Sequence, residues 1–160
     1  MLFVTASGSS QIGRLWTFSD LVGESDFVVI GKAIGARDTG RKATHPELRP
    51  PLPVIELVTD VQVLAVLKRD ATVSAEDARR LVLHHYRLDM DEWRRQHPPA
   101  PGQPPPGLVN AGETLTLKPG DDTYLFFLKR GALGWEPATG HTFPNQSVFP
   151  LVGAKRVGGY

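Results

Sequence analysis

The stretch GDDTYLFFLKRG, Gly120 to Gly131, decides how this chain folds. Its centre is apolar and aromatic, and Gly and Asp bound it, which is the composition of a β-strand. As a strand it sends Tyr124, Phe126 and Leu128 to one face and Leu125 and Phe127 to the other, because side chains alternate with a period of two. Both faces are apolar. A strand at a wet surface has one polar face, so this one needs a cover on each side.

Working outward, ETLTLK (113–118), joined to that strand by PGDD, predicts a hairpin, and GWEPAT (134–139) predicts a last short strand. Upstream, DFVVIGKAIGAR from Asp26 predicts a first strand closed by the turn signal RDTGRK, and VIELVTDVQVLAVLK from Val54 predicts a long second one. LVLHHYRL, Leu81 to Leu88, predicts a third, preceded by a helical turn in SAEDARR with Ser74 and Asp77 at capping spacing. TFSDLVGESD predicts a short N-terminal helix with Ser19 as N-cap, Leu21 and Val22 on its apolar face and Gly23 as its stop. That apolar helical stripe is the expected cover for the outer face of the 124–128 strand. Prolines keep two long loops, 38–53 and 89–112, out of any ladder, and the second begins with a helical turn around Trp93. Five or six strands without regular strand–helix alternation predict an all-β barrel or sandwich.

A chain of 160 residues is the size of one domain and can bury roughly 70% of its unfolded surface. Its 18 Lys and Arg against 17 Asp and Glu lack the basic excess that dominates binding to a phosphate backbone. Only RKATHPELR and EWRRQH are locally basic, so nucleic acid ranks low as a partner. The absence of cysteine removes disulfides, thiolate nucleophiles and cysteine metal sites together. MLFVTASGSS has neither the basic start of a secretory signal nor the length of a membrane span, which predicts a soluble chain. A signal sequence ahead of Met1 would place it outside the cytosol.

The succession ESDFVVIGKAIGARD, VIELVTDVQVLAVLKRD, RLVLHHYR and GDDTYLFFLKRG resembles the netrin-like module and the tissue inhibitors of metalloproteinases. The resemblance spans roughly Asp20 to Arg130 and implies a small OB-like barrel of five to six strands with appended helices. On that reading residues 1–18 form a mobile arm, 19–152 one barrel domain with the proline-rich insertion 89–112, and 153–160 a tail. The inhibitors chelate the protease zinc through an N-terminal cysteine. This chain begins Met1-Leu2-Phe3 and has no cysteine, so metalloproteinase inhibition is not carried over.

The segment HHYRLDMDEW gathers His84, His85, Asp89, Asp91 and Glu92, all types that ligate divalent metals. Neighbours on a strand face opposite ways, so His84 and His85 cannot share one ion, and the reading is a half-exposed strand end followed by a solvated acidic turn. RQHPPAP sets Arg95, Pro98 and Pro101 at the spacing of a polyproline ligand, and is read as a stiff spacer. GSSQIGR lacks the Lys and Ser/Thr of a phosphate loop, and Asn145 opens a sequon. Trp93, Trp135 and Phe143 cover barrel ends or, in a binding reading, anchor a partner. With no catalytic signature and no cofactor expected, the reading is a non-catalytic module that binds a protein or peptide. Its candidate surface comprises His45, His84, His85, Tyr86, Trp93, Arg95 and Trp135. The alternatives are a metal-dependent or acid–base enzyme using His84, His85, Asp89 and Asp91, and third a single-strand nucleic-acid binder.

Overall fold

A computed structural model describes residues 14–108 and 111–151. Of the arm expected over 1–18, residues 1–13 lie outside the described residues, as does the tail over 153–160, while Trp16 packs on the core cluster around Leu21 and Thr17 caps the first helix. Helix α1 (Phe18–Glu24) leads into β1 (Phe27–Thr44), β2 (Pro53–Arg69) and β3 (Arg80–Leu88). Helix α2 (Met90–Gln96), β4 (Thr123–Arg130), β5 (Trp135–Pro137), a 3-10 turn (Pro144–Ser147) and β6 (Val148–Leu151) follow. The fold is mainly β. Its pairings run β1-β2-β3-β5-β4 and return to β1, a five-strand ring with β6 attached to β4. The link between β3 and β5 is a single parallel pair, Leu83 with Trp135, and the other contacts round the ring are antiparallel.

The interior of the ring collects Phe27 and Val29 from β1, Val61 from β2, Leu81 and Leu83 from β3, and Tyr124, Phe126 and Leu128 from β4. This is the inward set expected for β4. Its outward pair divides: Phe127 is buried with Leu21 of α1, Val28 and Ala138, while Leu125 packs half-buried on the same cluster with Trp16 and Phe149. Helix α1 therefore covers β4, through Leu21; Val22 is 46% exposed and takes no part. The N-cap is Thr17 and not Ser19. Asp20, three residues on, accepts from the Thr17 N–H at 3.0 Å, while the Thr17 hydroxyl accepts from the Asp20 N–H at 3.1 Å, and this reciprocal box outcompetes a cap that has no such partner. At the other end Lys68 Nζ donates to the carbonyls of Val22 and Ser25, where a cation complements the helix dipole.

Four expectations change. RDTGRK does not close β1: Asp38 still faces Leu57 and Lys42 faces Ile55, so residues 39–41 bulge opposite Glu56 and the strand continues to Thr44. The first long loop shrinks to 45–52, and it buries Leu48 and Leu52. Glu113–Lys118 forms no ladder with β4, because β1 holds one edge of β4 while β5 and β6 share the other; Leu115 and Leu117 still enter the core. Segment 134–139 is not the last strand, since β6 follows it, and Pro150 in β6 is tolerated because only one edge of that strand is paired.

Candidate functional site

Side chains on the outward face of β3 meet the β1–β2 connection and the loop around β5 in a cleft of about 240 Å³. His84 and Tyr86 contribute from β3, Pro46 and Glu47 from the connection, and Leu133, Glu136 and His141 from the β5 side. Larger clefts exist near Lys42 and Asp89 (390 Å³) and near Leu117 and Phe149 (510 Å³), but neither gathers histidines.

His84 Nδ1 lies 2.8 Å from Glu56 Oε1. Glu56 sits in the apolar run of β2 with its carboxylate buried, and Arg41 from the β1 bulge approaches its other oxygen at 2.8 Å. A carboxylate fixed by arginine is an acceptor, so His84 donates to it from Nδ1. On the opposite wall His141 Nε2 lies 3.1 Å from Glu136 Oε2, and its ring meets Tyr86 edge-on at 4.7 Å. Glu47 accepts from the His141 and Thr142 backbone amides and from the Thr142 hydroxyl. Burial pushes the Glu47 carboxyl up, but these hydrogen bonds outweigh it and hold the group below its ordinary range. Burial also raises the Tyr86 phenol, helped by the Glu56 charge.

Two glycines make room for these groups. Gly134 has φ +142°, and a Cβ there would stand 3.0 Å from His84 Nε2; Gly140 has φ +82°, and a Cβ would meet Glu47 Oε1 at 2.3 Å. Any other residue at either place would carry backbone strain and crowd a cleft side chain.

The expected surface residues separate. His84 and Tyr86 line the cleft. His45 is buried beside it, where Nδ1 accepts from the Glu47 and Leu48 amides and Nε2 donates to the His141 carbonyl at 3.3 Å; burial lowers its pKa. His85 turns inward, with Nε2 2.9 Å from the Thr59 hydroxyl and Nδ1 without a partner among the described residues. Burial first, then the neighbouring His141 and His84, push His85 down to about 4. Trp93 and Trp135 are not surface anchors. Trp93 is packed beneath Leu48 and Leu52, and Trp135 lies in the core 5.1 Å from Phe27, as large aromatics with apolar neighbours do. Arg95 is exposed on α2 and paired with Glu92.

The set His84, His85, Asp89 and Asp91 does not converge. The two histidines face opposite ways, Asp89 caps α2 and pairs with Lys42 at 3.0 Å, and Asp91 faces Arg94. Among the described residues no three His, Asp or Glu side chains are placed to hold one cation. Most cations of the two basic stretches are paired, Arg41 with Glu56, Lys42 with Asp89, Arg94 with Asp91 and Arg95 with Glu92, while Arg49 donates to the Pro46 and Leu48 carbonyls. No described helix is long and apolar enough to cross a membrane.

Sequence reasoning missed Glu47, Glu56, Glu136 and His141. Glu56 had a signal, a lone carboxylate inside VIELV facing a strand that carries two histidines; Glu136 lies in the three-residue β5 and Glu47 and His141 in loops, and their approach has no local signature. Compared with family models, curated proteins and solved structures, the chain gives no match.

Proposed function

We propose that the chain is a non-catalytic binding module on an OB-like barrel of the netrin-like type, and that it takes a protein or peptide at the cleft between His84 and His141. The order of helix, three strands and a two-sided aromatic strand supports the architecture, together with the closed five-strand ring. One observation carries the binding reading: two histidines, each fixed by its own carboxylate, face one cleft. Groups already held by their partners lose little freedom on binding. At about 240 Å³ the cleft is smaller than the roughly 300–1,000 Å³ of drug-sized sites, which suits one side chain of a larger partner. The test is selection of peptides from a displayed random library, followed by amide-shift mapping of the winners. Shifts concentrated at 46–47, 84–86 and 132–141 support the reading; no enrichment, or shifts on another face, overturns it.

A second reading is favoured by the Glu56–His84 pair alone. A carboxylate on Nδ1 leaves Nε2 free to take a proton, the arrangement of a general base. A panel of activated esters and amides tests it: turnover lost in His84→Gln, with the fold intact, would move the site from binding to catalysis.

A further inference from the structure

The cleft is one-sided in its chemistry. Glu47, Glu136, His84, His141 and Tyr86 supply its polar lining, and no lysine or arginine is among the lining residues that are described. Each internal hydrogen bond spends a donor. His84 gives its Nδ1–H to Glu56, and His141 gives its Nε2–H to Glu136. What remains toward a ligand is acceptor capacity, the unused lone pairs of Glu47 and Glu136, with the Tyr86 hydroxyl able to act either way. Lys129 Nζ stands 3.8 Å from Glu136 Oε1 and is not among the cleft's lining residues, so it leaves the carboxylate incompletely satisfied. His141, only 7% exposed, keeps a further ring nitrogen without a partner among the described residues. A donor-rich, positively charged group with an aromatic ring beside it is the complement of such a wall.

We propose that the cleft receives a guanidinium or ammonium group, the basic side chain of an arginine or lysine in the partner peptide. The inference rests on the peptide-binding reading above and names the residue that enters. The Glu47 and Glu136 carboxylates fix the donors of the incoming group, and the Tyr86 ring flanks it.

The experiment is an amide-shift titration of the full chain with Nα-acetyl-arginine amide, Nα-acetyl-lysine amide and, as the uncharged isostere, Nα-acetyl-citrulline amide. The cationic probes should produce saturable shifts at Glu47, Glu136 and His141, binding at least about tenfold more tightly than citrulline and weakening as salt rises from about 50 to about 500 mM. The arginine and lysine arms tell a planar fork from a point charge. Glu136→Gln should weaken both cations several-fold. Because that change also touches His141, Leu133→Trp serves as a second variant: Leu133 is 39% exposed on the rim, so a larger ring there blocks the cleft without altering its charge, and should abolish the shifts. Equal binding of citrulline, or shifts that never saturate and ignore Leu133→Trp, overturn the proposal. If library peptides map to the cleft without basic residues, this inference fails and the binding site stands; if neither peptides nor probes map there, both fail.

Discussion

Strands β3 and β4 flank β5 in the same ring, and both are covered on two faces, but by different chemistry. The β4 strand is apolar from Tyr124 to Leu128. The ring interior takes Tyr124, Phe126 and Leu128, and α1 lies over Phe127 and Leu125. The β3 strand turns polar after Leu81 and Leu83, which face the core; beyond them His85 is buried against Thr59, and half-buried His84 bonds Glu56 on the outer face. The difference teaches where stability and function are separable. Apolar cover is non-directional and can be supplied by any fitting side chain, whereas each buried imidazole needs a partner at one atom, and an unmet atom costs free energy.

The largest expected effect comes from stripping the apolar cover. Deleting residues 1–25 removes Leu21, which is fully buried, and Trp16, and bares Phe127 and Val28. At roughly 1.5–3 kcal/mol for each large apolar side chain fully buried, and less for partial cover, the loss should be about 3 to 5 kcal/mol. Urea titration and size-exclusion chromatography of both forms check it, with a lower midpoint and self-association through the bare face expected. Equal midpoints and a clean monomer would remove α1 as the cover and erase the contrast with β3.

Acid tests the polar side. His85 holds a folded pKa of about 4 against an ordinary 6.5, so above 6.5 it is neutral in both states and contributes no pH dependence. As pH falls through 6.5, the unfolded chain takes a proton that the folded one refuses, and stability drops until the folded state also protonates near 4. Between about pH 7 and about pH 5 the drop should be about 2 kcal/mol; His45, lowered by burial as well, acts in the same direction. Carboxylates such as Glu47, with a depressed pKa, lose their contribution only at lower pH. Comparing urea midpoints at the two pH values, wild type should show the drop and His85→Gln should lose most of it. An unchanged slope in the variant would take His85 out of the account.

A smaller effect separates fold from cleft. Gly134→Ala places a Cβ at φ +142° and 3.0 Å from His84 Nε2, which should cost about 1–2 kcal/mol in backbone strain and displace the imidazole from its Glu56 bond. Thermal unfolding measures the first consequence. The tautomer-sensitive nitrogen shifts of His84 measure the second, and they should change while those of His85 do not.

The two strands also differ in how much of them could be read beforehand. The two-sided pattern of β4 is a property of consecutive residues, so its cover by a helix carrying Leu21 was legible. Edge occupancy is not local. Nothing in ETLTLK reports that both edges of β4 are taken, and RDTGRK reads as a turn because its pairing with β2 continues beyond it only in three dimensions. At the cleft, alternation separates His84 and Tyr86 from His85 but does not say which face is the outer one, so all three stood in the expected surface although His85 is buried. Glu136 and His141 were not legible, because their approach depends on backbone turns at Gly134 and Gly140 that bring the short β5 and the loop after it to one wall.

The smallest effect is expected where neither kind of cover operates. Pro98–Gly107 is exposed throughout, and its prolines offer no donors to a ladder. What the insertion contributes to the core lies at its ends: Trp93 in α2 before it, and Leu108 and Ala111 after it, close on Leu48 and Leu52. A replacement that keeps Leu108 and swaps only 98–107 for a shorter Gly/Ser linker changes loop-closure entropy by about 0.6 kcal/mol per halving of length. The urea midpoint should therefore stay nearly unchanged, and the cleft should bind its probes as before, since no residue of 98–107 lines it. A large drop in midpoint would mean that the proline segment orders Leu108 and Ala111 against Trp93 and supplies cover of its own, a third region to set beside β3 and β4.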